Sequence, residues 1–188
     1  MKYLKTFEQN NKTLIDYVLD NNIKKVKELI KSGVDVNMRD ADDYTALILA
    51  SDKDNDKDNI EISKFLIDSG ADINAKARDG YTALILATLN QHIKIAKFLI
   101  DSGADINMKT NKNNTALMFA ANATFKIDNV GLCKMLIDAG ADWNIKNDVD
   151  GQDFLYFLNY RDKDMIINLY PDKYKNYLIK KEAEKYNI

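Results

Sequence analysis

The sequence predicts an all-α repeat fold, an α-solenoid of stacked helix-turn-helix units with connecting β-hairpin-like loops. Three observations predict it. A glycine-centred hexapeptide recurs as SGVDVN from Ser32, SGADIN from Ser69, SGADIN from Ser102 and AGADWN from Ala139. Gly33, Gly70, Gly103 and Gly140 are spaced by 37, 33 and 37 residues, periods that signify a stack of supersecondary units. A second echo lies upstream of the last three: YTALILA from Tyr44, YTALILA from Tyr81 and NTALMFA from Asn114. Third, apolar residues ahead of each glycine fall on one helical stripe. The stripes are Val26, Leu29 and Ile30; Ile62, Phe65 and Leu66; Ile95, Ala96, Leu99 and Ile100; and Leu132, Cys133, Leu136 and Ile137.

The elements follow in order. Residues 13–33 form an atypical first unit with an apolar face of Leu14, Val18, Val26, Leu29 and Ile30, and with Lys24, Lys25, Lys27 and Lys31 on an exposed one. Tyr3, Leu4 and Phe7 are expected to add a short turn over that end. Thr45, Thr82 and Thr115 precede Ala-Leu runs, where a hydroxyl can accept a hydrogen bond from an early helix N–H and cap the helix. Each unit's second helix ends at its glycine, which can take the left-handed conformation that closes a helix. About a dozen turn-rich residues then lead to the next threonine. Asp153 takes the threonine's place in a last unit, with helices expected over Phe154–Leu158 and Met165–Tyr170. Pro171 breaks the chain, and the tail from Asp172 reads as one more helix whose stickier side holds Tyr174, Tyr177 and Leu178. That helix is expected to seal the stack, the alternative being a docking helix for a partner. Neighbouring units bury what one unit cannot, so both ends need covering.

This pattern resembles the ankyrin repeat. Residues 77–109 look like one complete unit: Asp79-Gly80-Tyr81-Thr82-Ala83-Leu84 matches its opening, Gln91-His92 its inter-helix turn and Gly103-Ala104-Asp105-Ile106-Asn107 its close. The resemblance covers roughly residues 12–158. Ala46, Ala83 and Ala116 stand where the family has proline, keeping good helix propensity but losing a preset backbone angle. Ile48, Ile85 and Met118 replace its histidine. The expected domain is single, divided as 1–39 (N-terminal capping repeat), 40–76 (repeat with inserted turn), 77–109 (regular repeat), 110–146 (repeat with inserted turn), 147–170 (C-terminal capping repeat) and 171–188 (C-terminal helix).

The inserted turns come from counting. Thr82 to Gly103 is 21 residues, whereas Thr45 to Gly70 and Thr115 to Gly140 are each 25. The second unit's insertion is DKDNDKDN, residues 52–59, with Asp52, Asp54, Asp56 and Asp58 on alternate positions. A calcium loop of the EF-hand type needs glycine at its sixth position and a bidentate Glu at its twelfth. From Asp52 those positions hold Lys57 and Ser63, and from Asp54 they hold Asn59 and Phe65. A solvated turn is therefore expected, the alternative being a divalent-metal-responsive or hydrolytic protein using 52–58. The fourth unit's insertion, about residues 121–129, shares the length but not the chemistry, with one acid, Asp128.

Other chemistry is sparse. His92 is the only histidine, in the inter-helix turn where Asn22 stands in the first unit, and no partnered nucleophile marks it as catalytic. Cys133 lines up with Val26, Ser63 and Ala96, a slot for small packed residues. Trp143 lines up with Val36, Ile73 and Ile106 and is expected in or near the core, with some exposure beside the end of the stack. Asp35, Asp72, Asp105 and Asp142 recur with the fold, as do Asn37, Asn74, Asn107 and Asn144, so they are expected to bond loop backbone. No phosphate cradle, zinc motif or nucleophile elbow occurs, so no enzyme, cofactor or metal is expected. The 27 basic residues against 29 acidic ones disfavour nucleic acid. No apolar run is long enough for a signal peptide or a membrane span. One cysteine suits a reducing, cytoplasmic setting.

The expectation is a monomeric, non-enzymatic protein–protein interaction module of adaptor, inhibitor or effector type. By the family resemblance, its contact residues lie just before each capping threonine and along the first helices, on the concave face. Here they are Ala41, Asp42 and Tyr44; Arg78, Asp79 and Tyr81; Asn111, Lys112 and Asn114; with Leu89 and Asn90 at the end of a first helix. Tyr44 and Tyr81 are the anchors, or else they stiffen the hairpins. Arg78, flanked by Asp42 and Asp79, would add charge selectivity.

Overall fold

The computed structural model describes residues 12–52, 56–122, 129–149 and 151–186. Eleven helices occur among them. They are α1 (Leu14–Leu19), α2 (Ile23–Lys31), α3 (Ala46–Asp52), α4 (Asp56–Asp68), α5 (Ala83–Leu89), α6 (Ile93–Asp101), α7 (Ala116–Ala121), α8 (Asn129–Asp138), α9 (Phe154–Phe157), α10 (Tyr160–Leu169) and α11 (Pro171–Tyr186). The first helices form one layer, α1 against α3, α3 against α5, α5 against α7 and α7 against α9; α1, α3, α5 and α7 each pack on their own partner helix behind, and α10 packs on α8.

The starts are chemical. Thr82 Oγ1 accepts from the Ile85 N–H at 3.2 Å, and Thr45 and Thr115 make the same contact at 3.4 Å. Thr13 and Asp16 form a reciprocal capping box on α1. Asp153 replaces the threonine and caps Leu155 N–H at 3.1 Å. The core is one continuous cluster running from Leu14 in α1 to Tyr177 in α11. Val26, Ser63, Ala96 and Cys133 are all fully buried, as their shared slot implies. Ile48, Ile85 and Met118 fill the family's histidine position as buried apolar side chains.

Four findings differ from the sequence expectation. The acidic insertion is not all turn: α4 begins at Asp56, so part of it becomes an extra helical turn ahead of Ile60. Residues 53–55 and the side chains of 56–59 lie outside what is described, as do residues 123–128 of the other insertion and Tyr3, Leu4 and Phe7. The second helix of the last unit starts five residues earlier than Met165, because Asn159 caps it by accepting from Asp162 N–H at 2.9 Å. Pro171 does not merely break the chain but opens α11, where its missing N–H costs nothing. Lys27 is not simply solvated: it pairs with Glu61 at 2.9 Å and lies over the Phe65 ring.

Trp143 is buried at 5% exposure, and α11 is the reason. Its ring stacks on Phe154 at 5.5 Å and meets Tyr170 and Tyr177 edge-on, each at 6.4 Å. Tyr177 also donates to Asp153 at 2.7 Å, and Tyr170 to Asp138 at 2.5 Å. The tail helix seals the last pair.

Candidate functional face

The loops between units fold back as tight hairpins. Isolated antiparallel bridges join Arg39 to Thr45 and Lys109 to Thr115. Each tip carries one residue in the left-handed region: Asp43 at φ 64°, Gly80 at 80°, Asn113 at 55° and Gly151 at 63°. The tips then bond to one another. Arg78 N–H donates to Asp42 O at 3.0 Å, Asn111 N–H to Asp79 O at 3.0 Å and Asp148 N–H to Lys112 O at 3.1 Å.

At the base of the loops a second ladder runs through the recurring polar residues. Asp35, Asp72, Asp105 and Asp142 each accept from the backbone N–H two residues on at 2.9 Å. Asn37, Asn74 and Asn107 accept from the Asp N–H of the next unit at 2.7–2.8 Å. The amides of Asn37 and Asn107 donate onward to Gly70 O and Gly140 O. Asn144, the last of the series, turns its amide onto Asp142 instead, at 2.7 Å. These residues serve the fold. His92 does too: it is buried, with Nδ1 3.0 Å from Ser51 O of the preceding unit.

The eleven expected contact residues separate into three groups. Ala41, Asp42, Arg78, Asp79, Asn111 and Lys112 lie exposed on successive tips. Several of them are committed to neighbouring tips. The Arg78 guanidinium reaches Asp42 at 3.1 Å, Asp43 at 3.8 Å and the Ala41 carbonyl. Asn111 Nδ2 donates to Arg78 O at 2.8 Å. Tyr44, Tyr81 and Asn114 sit half-buried where the tips meet the first helices. Both tyrosines pack on one apolar patch of Ile48, Ala75, Ala77 and Leu86, and the Tyr81 ring lies 5.8 Å from Phe119. Among the described residues neither tyrosine hydroxyl has a hydrogen-bond partner. Burial, with Asp79 and Asp52 nearby, holds the Tyr44 phenol above its ordinary pKa of 10.0. Leu89 and Asn90 stand at the far end of α5, roughly 10 Å along the helix from the tips. There Asn90 bonds Asp52 Oδ1 at 2.8 Å.

The sequence reading overlooked Phe119 and Phe157, which fall four residues after their caps as Leu49 and Leu86 do. With Lys112, Asn114, Asn147 and Val149 they line a hollow of about 260 Å³ between α7 and α9. That register was the signal available. The half-buried aromatic groups Tyr44, Tyr81, Phe119 and Phe157 thus line the tip-and-first-helix face from the second unit to the last. Among the described residues no group of three or more His, Cys, Asp or Glu is placed to hold a metal, and no helix is long and apolar enough to cross a membrane. Most of the acidic insertion lies outside that description.

Helix pairs tied tip to tip and base to base, with aromatic groups along one face, define a repeat solenoid built to present a surface. A family profile described as ankyrin repeats in three copies matches residues 3–77 and 56–147. The chain belongs to the ankyrin repeat family. A search of curated proteins returned no match. Ankyrin repeats generally mediate protein–protein interaction and are generally non-enzymatic.

Proposed function

We propose that this chain is a non-enzymatic binding module that holds a partner protein on its tip-and-first-helix face, as an adaptor, inhibitor or effector. The aromatic series carries the reading. Tyr44 and Tyr81 occupy equivalent positions one unit apart, each with a supported ring and a free hydroxyl. A ring already held in place loses little entropy on binding, and tyrosine is enriched among residues that carry interface energy. A partner spanning this face covers on the order of 800 Å². Arg78 contributes by fixing the tips. Asp79, whose carboxylate has no partner among the described residues, sets the local charge the partner meets. The single, buried Cys133 suits a cytoplasmic setting.

The test is affinity capture with the full chain, followed by measurement of the captured partner against Tyr44→Ala/Tyr81→Ala. Loss of about 2 kcal/mol or more is expected, roughly thirtyfold in Kd, with the helical signal retained. Unchanged affinity in the folded variant removes these tyrosines from the site.

A further inference from the structure

A second concavity lies away from the tyrosine tips. It is a cleft of about 500 Å³ at the C-terminal end, where α11 leans on the last unit without closing against the first turn of α9. That is a volume suited to a small ligand or a few residues of peptide. Polar groups and an uncovered apolar wall share its lining: on the apolar side Tyr156 of α9 is 65% exposed and Leu178 of α11 is 43% exposed. They belong to a wider trend. Among the described residues, seven of the ten exposed large hydrophobic side chains lie between Val149 and Tyr186. Apolar surface gathered at one end of a repeat protein is a mark of an interaction site.

Its charges are of one accessible sign. Lys163 of α10 and Lys181 of α11 reach the cleft. The acid among the lining residues, Asp153, is 6% exposed, and its oxygens are taken by Leu155 N–H and the Tyr177 hydroxyl. Lys181 donates to that same hydroxyl at 2.8 Å, which fixes the ammonium in place. The Lys163 ammonium has no partner among the described residues. An occupant therefore meets two ammoniums and an apolar wall, while the compensating carboxylate is buried behind tyrosine.

We infer that this cleft docks a short acidic segment of a partner polypeptide, an aromatic or aliphatic side chain seated against Tyr156 and Leu178 with a flanking carboxylate on Lys163 and Lys181. Charge complementarity selects the occupant: a basic segment is repelled, and a neutral apolar one leaves both ammoniums unpaired.

The experiment uses the isotopically labelled full chain and three acetylated, amidated tripeptides: Glu-Phe-Glu, Gln-Phe-Gln and Lys-Phe-Lys. Amide shifts are followed during titration at low salt. Glu-Phe-Glu is expected to move signals around Tyr156, Lys163, Leu178 and Lys181, at least about fivefold more tightly than Gln-Phe-Gln, with Lys-Phe-Lys weakest. Lys163→Glu should abolish that preference and Tyr156→Ser should weaken all three peptides, both with unchanged circular dichroism. Tyr44→Ala/Tyr81→Ala should leave the cleft response intact, so this result is separable from the fate of the concave-face reading. No shift at the cleft overturns the inference. So does equal response to the Glu and Gln peptides, which would leave only apolar adhesion, and so does a preference for Glu that survives Lys163→Glu.

Discussion

Gly80 is where backbone strain and inter-unit contact meet, and Gly80→Ala separates them from each other. Gly80 sits at φ +80°, and a Cβ there would lie 2.7 Å from Asn111 N, 2.8 Å from Asn111 Oδ1 and 2.9 Å from Thr110 C. Two of those atoms are backbone and cannot swing aside. Gly103 in the same unit has a similar φ of +91° but nothing within 4 Å of a Cβ. Gly103→Ala therefore carries the left-handed penalty alone, about 1–2 kcal/mol. Gly80→Ala carries it too and also pushes away the next tip. That breaks Asn111 N–H to Asp79 O at 3.0 Å and Asn111 Nδ2 to Arg78 O at 2.8 Å. At about 0.5–1.5 kcal/mol for each bond, the total is about 2–5 kcal/mol. Urea unfolding followed by far-ultraviolet circular dichroism reads both variants, compared at equal m-values. If Gly80→Ala costs no more than Gly103→Ala, the tip-to-tip contacts do not hold the units together and the reasoning fails.

Further predictions rest on other features. Ser63 Oγ is buried without a hydrogen-bond partner, in the slot that Ala96 fills one unit on; Ser63→Ala should raise unfolding stability by about 1 kcal/mol, and a loss would show that the hydroxyl is satisfied in solution. Asp138 lies below its ordinary pKa of 3.8 because Lys134, then Tyr170, donate to it. Its contribution is thus present above that value and lost as pH falls through the lower folded one. The thermal midpoint should fall on acidification and fall less steeply in Asp138→Asn; identical slopes would exclude Asp138 as a source. Ending the chain at Tyr170 should shift Trp143 emission to longer wavelength, since Tyr177 no longer covers the ring; unshifted emission would mean that α11 is not seated there.

Much of the fold was legible because its signals recur. The capping hydroxyls of Thr45, Thr82 and Thr115 and the Asp and Asn ladder residues appear once per unit, and each repetition tests the same local chemistry again. Where repetition stopped, reading faltered. The early start of α10 was signalled only by Asn159 with Asp162 three residues on, a cap pair without the hydroxyl of its siblings. The helical start at Asp56 lay hidden in a run dominated by Asp and Asn, types of low helix propensity. The sequence sets Arg78 beside Asp42 and Asp79, but its reach to Asp43 and the Ala41 carbonyl was not legible, because it joins residues more than thirty positions apart. The C-terminal cleft was invisible because α11, which supplies Tyr174, Tyr177, Leu178 and Lys181 to its wall, has no counterpart in the other units, so no register pointed to it.

The base ladder runs one way, each asparagine of one unit accepting from the aspartate N–H of the following one. Asn74 and Asn107 therefore make the same bond into and out of the unit formed by residues 77–109. The sequence KFLIDSGADIN is the same at 64–74 and 97–107, and so is ALILA at 46–50 and 83–87. A duplicate of that 33-residue cassette, spliced in after Lys109, would find the same Asn and Asp ladder partners on each flank, while its copy of Arg78 would face Asp79 in place of Asp42. The length of the tip-and-first-helix face is in this sense adjustable by whole modules, with the first and last units left as they are.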